Sequence, residues 1–237
     1  MDALTNFSTT AYLMGDHARA SMLTALLDGR AWSAGELAYA SGVTAQTASS
    51  HLGKLLDGGL VSMEKQGRHH YYRLSGPHVA QALEQLSVIQ PTATMRKKVA
   101  SPLQRELGFC RSCYNHLAGK LGVAITNALL EKHYLSQDPG GGQYAITSAG
   151  KQWLQSLGID LRQMKPASRG LIYPCLDWTE RRHHLAGPVA SRLLITFCEN
   201  DWLRRAAKSR AITVTPAGWL AFREHLAIDA ALLDGHK

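Results

Sequence analysis

Residues 33–74, SAGELAYASGVTAQTASSHLGKLLDGGLVSMEKQGRHHYYRL, decide the fold of the first part of this 237-residue chain. Ser33-Ala34-Gly35-Glu36 has the form of a capping box: the Ser hydroxyl accepts from the third helical N–H and Glu36 reaches back. The short helix it opens runs to Ala40 and buries Leu37 and Ala40. Ser41-Gly42-Val43 then turns the chain, with Gly42 free to take a left-handed backbone conformation. Thr44 caps a second helix, Ala45 to Leu56, in which Ala48, Leu52, Leu55 and Leu56 keep helical spacing. Its other face carries Gln46, Thr47, Ser49, Ser50, His51 and Lys54, all small or hydrogen-bonding. Gly58-Gly59 ends it. Leu60–Lys65 and His69–Leu74 follow as strands around the turn Gln66-Gly67-Arg68. Two helices joined by a tight glycine turn, the second polar on one face, make a helix-turn-helix, and the hairpin behind them is a wing.

The run from Gly35 to Leu74 resembles the winged helix of ArsR/SmtB-type bacterial repressors. The matching pieces are Ser49-Ser50-His51-Leu52 at the centre of the second helix, Gly59-Leu60-Val61 leaving it, Gly67-Arg68 at the wing tip and Tyr71-Tyr72-Arg73-Leu74 returning. The resemblance covers roughly residues 5 to 90. It implies a homodimer that binds double-stranded operator DNA, dissociates when an effector binds, and has no enzymatic activity. Spacing alone supports only a DNA-reading module. In such a module Gln46, Thr47 and Ser49 meet base edges in the major groove, and glutamine pairs well with adenine. Ser50, His51 and Lys54 suit phosphate or the groove wall, and Arg68 suits the minor groove. With Thr44 at the helix start, these residues form the candidate DNA-binding set. The alternatives are a solvated helix face and, for His51, packing against the first helix.

Helices Leu4–Met14 and Arg19–Leu27 precede this module. His78–Ile89 follows Pro77, with Val79, Ala82, Leu83, Leu86 and Ile89 at helical spacing. In the resembled family the first and last helices pair between subunits, so this stripe fits a dimer seam; packing within one chain is the alternative. The net charge of +8 is unevenly placed. Residues 1–90 hold six Lys/Arg and seven Asp/Glu, whereas residues 91–237 hold twenty and eleven. The basic surplus either adds non-specific attraction to DNA or is a solvated surface. No segment reaches membrane-spanning length and no secretion signal opens the chain, so a soluble cytoplasmic protein is expected, without membrane association. In that compartment the four cysteines are expected as thiols or metal ligands.

Residues 91–102 are polar, basic and bounded by prolines, the composition of a linker. They separate a DNA-binding and dimerisation domain (1–90) from an effector or sensor domain (103–237). The second domain contains an internal repeat, about 103–160 and 171–229. His116-Leu117-Ala118-Gly119 recurs as His184-Leu185-Ala186-Gly187, and Thr147-Ser148-Ala149-Gly150 as Thr215-Pro216-Ala217-Gly218. The spacing from the first His to the last Gly is the same in both copies, which indicates duplication. Each copy reads as helix, loop, short strand, helix. Leu117, Leu121, Ile125 and Leu129 stripe one long helix, and Val189, Leu193 and Phe197 its counterpart. Ser148 and Thr215 are placed as helix caps. The expected fold class is therefore mainly α with small β-wings: a winged helix-turn-helix followed by a duplicated helix–strand–helix lobe.

The reactive side chains fall at related places in the two copies. Cys113 lies three residues before His116, on a shared helical face, with Cys110 one turn earlier. Cys175 lies nine before His184, across an insertion that includes Trp178. If the copies meet about a pseudo-twofold axis, Cys113, His116, Cys175 and His184 converge and suit zinc or another thiophilic metal or metalloid ion. Three other readings stay open. Cys110-x-x-Cys113 could be a redox pair, with Arg111, Arg181 and Arg182 lowering thiol pKa values. Cys110, Cys113, Cys175 and Trp178 could belong to an effector pocket for an organic ligand, since Trp153, Trp178, Trp202 and Trp219 all fall in this half. Or the cysteines are small buried hydrophobes and HLAG is a helix start, with His as a cap. Metal-sensing members of the resembled family often carry cysteines in the helix before the recognition helix, where Glu36–Ala40 has none. A second common site uses the last dimer helix, where only His78 and Glu84 occur. Any sensor therefore belongs in the second domain.

No motif forces catalysis. Asp138-Pro139-Gly140-Gly141-Gly142 lacks the Lys-Ser/Thr of a phosphate loop and reads as a hairpin tip. Asp177 and Glu180, near His183 and His184, read as surface charge rather than an acid–base pair. The function expected is an effector-responsive repressor. The alternative is a ligand- or metal-handling protein whose winged helix makes protein contacts.

Overall fold

The computed structural model describes residues 3–89, 102–137 and 142–234. It is mainly helical with small antiparallel sheets, and it divides between Ser87 and Val88 into two compact units. The linker expected over 91–102 lies, apart from Pro102, outside the described residues, as does 138–141 of the glycine-rich stretch.

The first unit runs α1 (Ala3–Gly15), α2 (His17–Ala25), a 3-10 turn (Leu26–Asp28), β1 (Trp32–Ser33), α3 (Ala34–Ser41), α4 (Ala45–Asp57), β2 (Val61–Gln66), β3 (His69–Leu74) and α5 (Pro77–Val88). Its core closes over Met22, Leu23, Leu37, Leu52 and Leu55, none of which reaches solvent. The capping box forms as the sequence predicts. The Ser33 N–H and hydroxyl both donate to Glu36 Oε2, and the Glu36 N–H donates to Ser33 Oγ. Thr44 caps α4 by accepting from the Thr47 N–H, and Gly42 between the helices is left-handed (φ 67°). One strand was not anticipated. Trp32 and Ser33 pair with Tyr72 and Tyr71, giving a three-stranded sheet in the order β1-β3-β2. Arg19 is also buried. Its guanidinium donates to the Leu13 and Tyr12 carbonyls, which the end of α1 leaves without helical partners.

The second unit begins with α6 (Pro102–Phe109). The first repeat is β4 (Arg111–Cys113), β5 (His116–Ala118), α7 (Gly119–Glu131), β6 (Leu135–Gln137), β7 (Tyr144–Ile146) and α8 (Ser148–Ser156). A 3-10 turn (Leu161–Gln163) leads to the second: β8 (Tyr173–Leu176), β9 (His183–Ala186), α9 (Pro188–Glu199), β10 (Leu203–Arg205), β11 (Ile212–Val214) and α10 (Pro216–Leu226). The short α11 (Ala230–Asp234) ends the described chain. Each repeat is thus hairpin, helix, hairpin, helix.

This corrects the reading of the HLAG motif. His116-Leu117-Ala118 and His184-Leu185-Ala186 are strands, and neither His is a cap. Leu117 belongs to β5, although its spacing to Leu121 matches a helix. The glycines mark the break. Gly119 and Gly187 have φ of 82° and 101°, and a Cβ on either would press on backbone carbonyls, those of Gly108 and Phe109 or that of Leu171. A strand can therefore pass straight into a helix there.

The second motif works identically in both repeats. Thr147, rather than Ser148, caps α8, and Thr215 caps α10. Each accepts from the N–H of the glycine three residues on, Gly150 or Gly218. Each hydroxyl donates back to the preceding turn, to His133 O at 2.7 Å or Asp201 O at 2.6 Å. His133 and Asp201 share the same left-handed φ of 55°. The repeats interlock: α7 packs on β9 of the second and α9 on β5 of the first. Leu121, Ile125 and Leu129 thereby join Val189, Leu193 and Phe197 in one core.

A Cβ at Gly150 or Gly218 would collide with the Tyr134 or Trp202 carbonyl. Gly→Ala within a helix ordinarily adds stability, so the sign is diagnostic. Gly150→Ala and Gly218→Ala are each expected to lose about 1–3 kcal/mol, and Thr215→Ala about 1 kcal/mol, in urea denaturation.

Candidate nucleic-acid interface and cysteine–histidine centre

Helix α4 buries Ala48, Leu52 and Leu55 and leaves Gln46, Thr47, Ser49, Ser50 and Lys54 exposed. Gln46, Ser50 and Lys54 are four apart and line one row of the helix surface. The Thr44 and Thr47 hydroxyls are 2.9 Å apart, engaged with each other at the helix start. Ser49 donates to Ala45 O and keeps acceptor capacity. His51 differs from the rest. It is largely buried, and its Nδ1 lies 3.7 Å from Asp16 Oδ1 at the start of α2. Asp16 is held below the usual carboxylate range by the Arg19 N–H, with the Arg19 charge assisting. On the wing, Gly67 (φ 60°) lets the chain reverse, and Arg68 stands exposed at the tip. Lys65 faces His70 across the strands beside that tip, both exposed. Sequence reading passed them over, although a basic wing flank is itself a phosphate-contact signal.

In the second unit Cys113, His116, Cys175 and His184 come together, one ligand atom from each lying within 4.8 Å of all the others. Strand register explains how. Cys113 is paired with His116 across β4 and β5, and Cys175 with His184 across β8 and β9. The unequal sequence spacings, three and nine, are two hairpin loops of different length around the same cross-strand pair. The His116 and His184 Nε2 atoms are 3.2 Å apart. Their other ring nitrogens face outward, His116 Nδ1 to Asn115 Oδ1 at 3.2 Å and His184 Nδ1 to Asp177 Oδ2 at 3.4 Å. Cys113, His116 and His184 are buried and Cys175 is half-buried. This is a largely buried cluster of two sulfur and two nitrogen donors, of the kind that can hold a metal ion.

The description of a helix-turn-helix domain fits residues 14–64 of the chain. A Bacillus subtilis (strain 168) protein, the uncharacterized HTH-type transcriptional regulator YdfF, is 41% identical over 221 residues, covering 93% of this chain and 97% of that one. The chain belongs to the HTH-type transcriptional regulators. Two solved structures are similar over about a third of the chain. One is the homodimeric winged helix-turn-helix DNA-binding domain of Mb0332 from Mycobacterium bovis, a possible ArsR-family transcriptional regulator. It is 29% identical, with 36% of this chain and 79% of that chain covered and a TM-score of 0.34. The other is HlyU from Vibrio cholerae, also 29% identical, with 36% and 94% covered and a TM-score of 0.34.

The remaining sensor candidates of this regulator fall outside the four-residue centre. Cys110 is fully buried, and burial pushes its thiol far above the ordinary value despite the neighbouring Arg111 cation. Such a thiol is a poor nucleophile. Arg111 is engaged elsewhere, 3.0 Å from Asp177 Oδ2. Trp178 lies over the Arg111 guanidinium, 5.2 Å from ring centroid to Cζ. Trp153 and Trp202 stack on Tyr134 and Phe197. The cavity bounded by Tyr134 and Trp153 holds about 10 Å³, too small for an organic ligand.

Asp177 is the residue that sequence reading undervalued. It is fully buried, not surface charge, and Glu180 is half-buried. Burial by itself would raise the Asp177 pKa; the Arg111 charge, the Thr179 hydroxyl and the Gly119 N–H outweigh it and hold the carboxyl well below its ordinary range. Its only sequence signal was an Asp-x-Thr turn inside the insertion. A depressed folded-state pKa adds stability above the ordinary carboxylate pKa and loses it as pH falls toward the folded value. Asp177→Ala would also leave Arg111 buried and unpaired, so a loss of about 3–5 kcal/mol is expected at pH 7. The gap to wild type should narrow in acid denaturation series below pH 4.

Proposed function

We propose that this regulator is an ArsR/SmtB-type repressor that binds operator DNA as a homodimer and releases it when an effector acts on the duplicated lobe. The exposed polar row of α4, with Arg68 at the wing tip, carries this reading. Gln46, Thr47 and Ser49 would meet base edges, Ser50 and Lys54 phosphate, and Arg68 the minor groove. The dimer is supported by apolar side chains left in solvent on α1 and α5. Phe7, Tyr12 and Leu86 are 73%, 68% and 50% exposed, apolar surface that a second copy would cover. A twofold pair would set its recognition helices about 34 Å apart, the repeat of successive major grooves. An effector favouring another spacing by ~3 kcal/mol would lower operator affinity more than a hundredfold. The protein would work in the cytoplasm and act by binding, not catalysis. Among the described residues no helix is long and apolar enough to cross a membrane.

The test is fluorescence anisotropy with duplex from upstream of its own gene, across a salt series. Gln46→Ala is expected to weaken binding by about 1–3 kcal/mol. Arg68→Ala should lower affinity and reduce the salt slope by about one. Indifference of the wild-type protein to DNA would favour a winged helix that contacts protein instead.

A further inference from the structure

We propose that Cys113, His116, Cys175 and His184 bind one zinc-class divalent ion, which clasps the two repeats of the second unit together. The proposal does not depend on DNA reading. Each hairpin contributes the same cross-strand Cys/His pair, so the site needs both repeats and neither holds half of it idle.

The donor set and its size fit. Zinc bonds of about 2.0 Å to nitrogen and 2.3 Å to sulfur place tetrahedral donors about 3.3–3.8 Å apart. The two Nε2 atoms are 3.2 Å apart and no donor pair exceeds 4.8 Å. Two thiolates and two imidazoles are a borderline-soft set, suited to zinc and unsuited to magnesium or calcium. Four protein ligands fill a tetrahedron, the signature of a structural centre rather than a catalytic one.

The groups around the histidines point the same way. Asn115 Oδ1 lies 3.2 Å from His116 Nδ1, and Asp177 Oδ2 lies 3.4 Å from His184 Nδ1. Each far ring nitrogen thus has an oxygen beside it, and the two Nε2 atoms are turned toward each other. A cation held between them would take a lone pair from each Nε2 and replace their mutual contact by ligation. An imidazole whose far nitrogen faces a carboxylate or carbonyl is the usual outer arrangement of a zinc-bound histidine. Two thiolates neutralise the ion, and Arg111 neutralises Asp177, so the buried centre carries no net charge.

The experiment uses the full chain, purified with reductant and without chelator. Elemental analysis is expected to find about one zinc per chain, the stoichiometry of a single four-ligand centre. Cobalt(II) in its place should give thiolate-to-cobalt charge transfer and the intense visible bands of a tetrahedral site. Chelation should lower the melting temperature and make the Cys113 and Cys175 thiols more reactive. Cys113→Ser and Cys175→Ser should each lose stoichiometric metal, whereas Cys198→Ser keeps it. The wild-type cobalt spectrum decides the matter even if a variant misfolds. A chain that stays metal-free after incubation with zinc, or a cobalt spectrum without sulfur charge transfer, overturns the site. Unchanged melting after complete metal removal overturns the clasp.

Discussion

The second unit is organised around a buried carboxylate. Asp177 Oδ2 accepts from Arg111 on β4 and from the Gly119 N–H at the start of α7, while Oδ1 accepts from the Thr179 and Glu180 N–H groups of its own loop. A carboxylate withdrawn from water is tolerable only when every lone pair is met. The partners come from both repeats, so the requirement can be met only when the repeats are docked. The Gly119 N–H is one of the orphan donors of α7, where the helix dipole also favours a negative charge. One side chain thus joins the second hairpin's loop to the first repeat and stands behind His184.

The interlocked packing has the same logic. Neither hairpin is large enough to hide an apolar face by itself, and a two-stranded ribbon is marginal in water. Crossing α7 onto β9 and α9 onto β5 makes each repeat complete the other's core. The threonine caps and left-handed residues that recur at matching positions fix the turns in both repeats. The cross-strand register then brings two Cys/His pairs to one place. In the winged helix the organisation is more local: caps, a glycine turn and short strands follow one another, and the polar row of α4 is the face the core leaves over.

Much of the first unit was legible because its signals are short-range. The capping box, Gly42, the Thr44 cap, the wing and the apolar spacing of α4 each depend on residues a few positions apart. Strand β1 was missed because Trp32 and Ser33 become a strand only by pairing with β3, and two residues carry no periodicity. His51 shared the polar sequence face of α4 but turns toward Asp16, a partner thirty-five positions away that helical spacing cannot reveal. The duplication was legible from two repeated tetrads. The hairpins inside it were not, because Leu117 and Leu121 mimic a helical step across a strand-to-helix break at Gly119.

By itself the sequence determined the helix-turn-helix, its wing and the doubling of the second unit, and offered the four Cys/His side chains as one reading among several. Those depend on residue identity, local backbone preference and spacing, which linear order preserves. Tertiary structure alone decided that Cys113 and Cys175 are equivalent despite unequal spacings, and that Asp177 is buried with Arg111. It also decided that Cys110 stays in the core. These outcomes turn on which backbone strands pair and which charges lose water together, and both are set by segments far apart along the chain.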